Sequence, residues 1–233
     1  SVAQKLYEAG HITYMRTDSV HLAEEAQANF ITVIKKEFGE NYVAAQQYKT
    51  KSKSAQEAHE AIRPTDAAVR TCGATDEQKK LYVLIRARAL ASQMSDARIA
   101  RTKIITNIMP LEAGRLQAAV AERPLTVPDF TVTGSRVVFD GWLAADPEAR
   151  GEDVELPKVA KGNPLTLIEA HSEGKETQPP GRYTEAGLVK ELEKRDIGRP
   201  STYAAIMKTL EDRGYVEKQN RTLLPTATGD VVS

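Results

Sequence analysis

The chain has 233 residues, an apolar fraction of 41%, and 32 lysine and arginine residues against 32 aspartate and glutamate residues. That length suits one large domain or two to three small ones, and the balanced charge means that a nucleic-acid reading must rest on local motifs. A single cysteine, Cys72, excludes an internal disulfide and a multi-cysteine zinc site and fits a reduced, cytosolic protein, while no apolar run approaches the roughly 18 to 20 residues of a membrane span and no signal-peptide layout opens the chain.

The first region, residues 1–97, reads mainly as helix. A helix through Leu6 and Tyr7 stops at Gly10, a residue that tolerates the left-handed turn after a helix end. Residues 11–16, His-Ile-Thr-Tyr-Met-Arg, are rich in β-branched and aromatic side chains and predict a short strand. Thr17, Asp18 and Ser19 predict a cap for a helix bearing Leu22, Ala26, Phe30, Val33 and Phe38 and ending at Gly39. A further helix is expected around residues 56–62, ended by Pro64. Thr75 with Gln78 forms a capping-box signature ahead of a helix with Leu81, Ile85 and Ala89.

Residues 98–176 change character. Short β-favouring runs at 103–109, 116–120, 130–139 and 165–170, separated by Gly, Pro and Asp, predict an antiparallel β module, with an exposed loop at 146–153. Residues 177–233 return to helix. Thr184 is placed to cap a helix with Leu188, Leu192 and the stem of Arg195, and a break at Ile197-Gly198-Arg199-Pro200 precedes a helix from about Ser201 with Ile206 and Leu210. Two extended pieces, Tyr215-Val216 and Leu223-Leu224, follow Gly214, which together match a helix-turn-helix with a wing. The chain stops after a turn-like Thr226-Ala227-Thr228-Gly229, and both ends look cut from something longer.

Three constellations carry chemistry. On the expected strand, Tyr14 and Arg16 share a face. A phenol with a pKa near ~10 is a poor nucleophile at neutral pH, but a guanidinium beside it favours phenolate and grips a phosphate. The plain alternative is a half-buried strand tyrosine with a solvated neighbour. On the expected helix, His59 and Arg63 lie four apart beside Glu60, so imidazole and guanidinium meet one phosphate; an ordinary amphipathic helix is the alternative. Metal binding by His59 is disfavoured, because no histidine or cysteine sits at ligand spacing. At Arg199-Pro200-Ser201-Thr202, helix-start N–H groups and two hydroxyls form a phosphate cradle, with Arg213 about three turns later to reach backbone or stack on a base. A well-capped helix hairpin explains the same residues without a ligand, and Tyr183, Tyr203 and Tyr215 are as readily core residues as stacking platforms.

In this order the segments Gly10 to Ser19, Gln56 to Thr65, Phe139-Asp140-Gly141-Trp142 and Gln178-Pro179-Pro180 through Gly214-Tyr215-Val216 closely resemble the central part of the bacterial DNA topoisomerase I family, the type IA DNA topoisomerases. Met15, where the topoisomerase III branch usually has proline, and Arg199-Pro200-Ser201 favour the topoisomerase I branch. The resemblance implies an α+β multidomain fold: a helical gate domain bearing the active-site tyrosine (1–97), an antiparallel β hinge or arch module (98–176), and an incomplete winged-helix-like single-strand-binding part (177–233). It implies a monomeric, nucleoid-associated isomerase that relaxes negatively supercoiled DNA without ATP, through a 5′-phosphotyrosyl intermediate at Tyr14, with Arg16 on the scissile phosphate and His59 near the cleavage site. Glu60 and Arg63 would support it, while Arg199, Ser201, Thr202 and Arg213 would hold single-stranded DNA upstream of the cut. Asp196 stands where the family commonly has glycine. The family's N-terminal domain, which binds Mg2+ through an acidic cluster and supplies a lysine, has no counterpart in this sequence, nor do the C-terminal zinc modules; magnesium is therefore expected in the intact enzyme and not in this segment, which is expected to be inactive alone. The rival reading is a non-enzymatic winged-helix module that prefers duplex DNA.

Overall fold

The computed structural model describes residues 1–48, 59–107 and 129–233. It is a mixed chain of helices and small antiparallel sheets that groups into two compact units. One unit comprises residues 1–22, 48–62 and 165–233, and the other residues 23–47 and 63–164.

In the first unit, α1 (Val2–Glu8) is capped by the Ser1 hydroxyl and anchored by the buried Leu6. It ends as expected at Gly10, whose φ of +73° lets His11 N–H donate to the Leu6 carbonyl at 2.9 Å. The expected strand at 11–16 does not form: these residues are bends around the buried Ile12. β-branched side chains favour a strand only where a partner supplies the ladder, and here the polar groups are satisfied differently, as described below. Thr17, Asp18 and Ser19 cap no helix. Thr17 Oγ1 instead accepts from Ser19 N–H and Ser19 Oγ from His21 N–H, both local turns. Residues 59–62 are bends and coil rather than helix, and residues 56–58 lie outside the described set.

The rest of this unit follows the predicted pattern with shifted edges. The Thr184 hydroxyl accepts from Gly187 N–H to cap α4 (Glu185–Lys194), and α5 (Tyr203–Asp212) starts two residues later than expected. Their ends share one device: Ile197 N–H donates to the Leu192 carbonyl and Tyr215 N–H to the Leu210 carbonyl, across Asp196 (φ +57°) and Gly214 (φ +64°). Strands β3 (Val216–Gln219) and β4 (Thr222–Pro225) form a hairpin turning at Asn220, φ +56°, and Leu223 N–H donates to the Tyr183 carbonyl, tying the hairpin to the start of α4. Residues 227–232 are a helix, α6, capped by Thr226, not the expected turn. The strand expected at 165–170 is exposed coil.

In the second unit, α2 (Glu24–Glu37) buries Ala26, Phe30, Val33 and Ile34, and α3 (Asp76–Ala91) buries Gln78, Tyr82, Ala89 and Leu90. The Thr75 cap is present, but the Gln78 amide reaches Ala74 N–H rather than closing a reciprocal box. The buried stripe of α3 runs through Tyr82 where Leu81 and Ile85, both half-buried, were expected. Fully buried Gln93 is satisfied on every side by Gln27 and the Gln46 backbone. Among the described residues the β module is one antiparallel ribbon, β1 (Arg98–Thr106) with β2 (Phe130–Phe139), paired from Ile99↔Val137 to Thr106↔Phe130. The expected strand at 116–120 lies outside the described residues. A Cβ at buried Gly141, whose φ is +52°, would collide with the backbone of residues 95–97, which accounts for the glycine of the Phe-Asp-Gly-Trp segment. Asp146, expected in an exposed loop, is buried with Arg88 Nε 3.1 Å from its carboxylate.

Candidate active site and nucleic-acid interface

The site is assembled by short tethers rather than by a strand. Thr13 Oγ1 donates to the Ala61 carbonyl at 2.7 Å, and Ala61 N–H donates to the His21 carbonyl at 2.8 Å. These two bonds hold residues 59–62 against the segment bearing Tyr14. As a result the imidazole of His59 lies 5.2 Å from the Tyr14 ring, tilted by 31°, while the Tyr7 ring meets Tyr14 edge-on at 5.3 Å and 70°. Offset-tilted and edge-to-face geometries are the favoured ones for such pairs.

Tyr14 is half-buried. His59 is half-buried too, and its Nδ1 is buried without a partner among the described residues. The contact sets imidazole and phenol rings side by side, while the unpartnered Nδ1 of His59 is itself buried. Arg16 is exposed; because no strand forms, the shared-face argument that joined it to Tyr14 fails, and its nearness rests on the two-residue separation alone. Glu60 is half-buried within this unit. Arg63 belongs to the other compact unit, where its guanidinium donates to the Pro64 carbonyl at 3.0 Å, and the helical face that was to join it to His59 is not formed.

The second cluster lies at the start of α5. Arg199 is half-buried and its guanidinium donates to the Gly198 carbonyl. Ser201 is exposed. Thr202 is exposed, and its hydroxyl accepts from Arg199 N–H at 2.8 Å and donates to the Arg199 carbonyl at 3.1 Å, which shapes the turn. Arg213 is exposed at the opposite end of α5, about 15 Å away along a ten-residue helix. Asp196 pairs with neither neighbour: Arg195 binds Glu191 at 2.7 Å, and Arg199 bonds backbone. Tyr203 is half-buried, Tyr215 also, and Tyr183 is 49% exposed, so none is a core residue. The Tyr203 phenol is pushed above its usual pKa, first by burial and then by the charge of Glu193, against the lowering effect of Arg199, with Asp18 and Asp196 adding smaller upward pushes. The Tyr14 segment and the start of α5 belong to the same compact unit.

Sequence reading missed Tyr7 and Thr13. Neither carries a motif signal of its own, because each acts through a contact made by the turn at Gly10 or the return of residues 59–62. Among the described residues no group of three or more His, Cys, Asp or Glu side chains is placed to hold a metal ion, and no helix is long and apolar enough to cross a membrane.

Against known proteins, the DNA topoisomerase family model (Topoisom_bac) matches residues 1–233. DNA topoisomerase 1 of Synechocystis is 43% identical over 99% of this chain and 25% of its own length, and that of Streptomyces coelicolor is 46% identical over 97% of this chain and 24% of its own length. The structure of full-length topoisomerase I from Thermotoga maritima superposes with a TM-score of 0.72 at 34% identity, covering 99% of this chain and 37% of that one. The chain therefore spans about a quarter of the length of these two curated relatives. With a family match along its entire length, this chain belongs to the DNA topoisomerase family, among the bacterial type IA topoisomerases I.

Proposed function

We propose that this chain carries the nucleophile and the single-strand grip of an isomerase that relaxes negatively supercoiled DNA by transient cleavage of one strand, strand passage and religation, without ATP. The observation that carries the proposal is the Tyr14 ring held between His59 and Tyr7, in the same compact unit as the Arg199 turn.

The phenolic oxygen of Tyr14 attacks the phosphorus of a backbone phosphate in unpaired DNA. A bond from tyrosine oxygen to phosphorus forms as the bond from phosphorus to the 3′ oxygen breaks, and the phenolic proton is balanced by the proton taken up by the departing 3′ hydroxyl. The phosphodiester energy is kept in the tyrosyl ester, so attack by the same hydroxyl reseals the strand. Arg16 offsets phosphate charge, and His59 is assigned the proton exchange. Glu60 supports the site, while Arg199, Ser201 and Arg213 hold the strand upstream, with Thr202 shaping the Arg199 turn. Residues 1–97 act as the gate, 98–176 as its hinge, and 177–233 as a winged-helix-like grip, in a monomer working on the nucleoid in the cytoplasm. Magnesium belongs to the complete enzyme, held by a separate metal-binding domain and not by these residues, and this chain alone binds DNA weakly with little or no relaxation.

In the complete enzyme with magnesium, Tyr14→Phe abolishes relaxation; retained relaxation refutes the nucleophile. A gel-shift comparison tests the winged-helix rival, which requires duplex DNA to outcompete single strands.

A further inference from the structure

We propose that Tyr7 is a positioning residue for Tyr14: its ring edge fixes the orientation of the nucleophilic phenol. The proposal rests on Tyr14 being the nucleophile.

A tyrosine side chain has two torsions to the ring, and a half-buried one loses aim if either is free. The His59 ring lies 5.2 Å from the Tyr14 ring with the planes tilted by 31°. Tyr7 meets Tyr14 at 70°, with ring centres 5.3 Å apart, so the Tyr14 ring packs against two neighbours in different relative orientations. The scaffold behind Tyr7 is rigid. Leu6, next to it in α1, is fully buried, and the end of that helix is closed by two backbone bonds, from Gly10 N–H to the Tyr7 carbonyl at 2.8 Å and from His11 N–H to the Leu6 carbonyl at 2.9 Å. Tyr7 itself is 42% exposed. An exposed aromatic spends little of its area on core packing, so stability is a weak account of its placement, whereas a ring edge against a reactive ring is worth more in orientation than in burial.

The test is single-turnover cleavage of a single-stranded oligonucleotide by the full-length enzyme with magnesium, comparing Tyr7→Ala, Tyr7→Phe and the unaltered protein. The expected result is a cleavage rate about three- to tenfold lower for Tyr7→Ala at saturating DNA, with oligonucleotide affinity and the thermal midpoint unchanged, and recovery in Tyr7→Phe, which keeps the edge. The proposal is overturned by an unchanged rate in Tyr7→Ala, by a loss confined to affinity, which would make Tyr7 a base contact, or by Tyr7→Phe being as slow as Tyr7→Ala. A parallel Tyr14→Phe sample that still forms a covalent adduct removes the nucleophile reading itself, a failure distinct from those three.

Discussion

Replacing Thr13 by valine removes one hydroxyl while keeping the shape of the side chain, and so isolates the tether that holds His59 beside Tyr14. The bond lost is the 2.7 Å contact from Thr13 Oγ1 to the Ala61 carbonyl. A neutral hydrogen bond of this kind contributes about 0.5–1.5 kcal/mol net, and because both residues are only half-buried, water replaces part of it, so the expected loss in stability is about 1 kcal/mol or less. Ala61 remains tied through its N–H to the His21 carbonyl, which keeps residues 59–62 near their place but less firmly. If the whole of that energy is expressed as misalignment of His59 against Tyr14, cleavage slows about fivefold. Urea denaturation read by circular dichroism gives the stability, and single-turnover oligonucleotide cleavage by the full-length enzyme gives the rate. Thr13→Ser, which keeps the donor, should retain most of both. A valine variant that matches the parent in stability and rate would show that the tether does not organise the site.

Two further outcomes follow from the structure. Arg86 and Arg70 both bind Glu37, at 2.8 and 3.2 Å, but Arg86 is 11% exposed and also donates to the Ala67 carbonyl at 2.7 Å, whereas Arg70 is 75% exposed. Arg86→Ala should therefore cost about 2–4 kcal/mol in chemical denaturation and Arg70→Ala about 0–1 kcal/mol; equal costs would contradict the burial argument. Asp196→Gly replaces a side chain held at φ +57° and removes a negative charge three residues before Arg199, so stability should rise by about 0.5 kcal/mol. Single-strand affinity should tighten about twofold at low salt, with the gain fading as salt is raised. Weaker binding in a salt titration would refute the charge reading of that turn.

The legible parts of this fold are those whose signals are local. Thr75 and Thr184 cap where a hydroxyl three residues before a free N–H predicts, and the 3.6-residue spacing of α2 buries Ala26, Phe30 and Val33 as read. The hairpin after Gly214 was legible for the same reason. Ile12 and Thr13 carry strand-favouring shapes, but the structure ties that stretch through the Thr13 side chain to the Ala61 carbonyl, 48 positions away. No periodicity encodes such a bond. Tyr14 and His59 were named from sequence, but their ring contact and the part of Tyr7 depend on two chain reversals. Arg63 was joined to His59 by a helical face that residues 59–62 do not adopt. At Asp196 the sequence showed an odd residue, and the backbone supplies the reason: the position closes α4 in a left-handed conformation that glycine fits best.

The most direct test of the account is where DNA becomes attached. The full-length enzyme is incubated with magnesium and an oligonucleotide labelled downstream of the cut, denatured, digested, and mapped by mass spectrometry. The account predicts a nucleotide 5′-phosphate on Tyr14, with a free 3′ hydroxyl on the released piece. Attachment to Tyr7 or to any other side chain, or a labelled protein band that survives Tyr14→Phe, would contradict it.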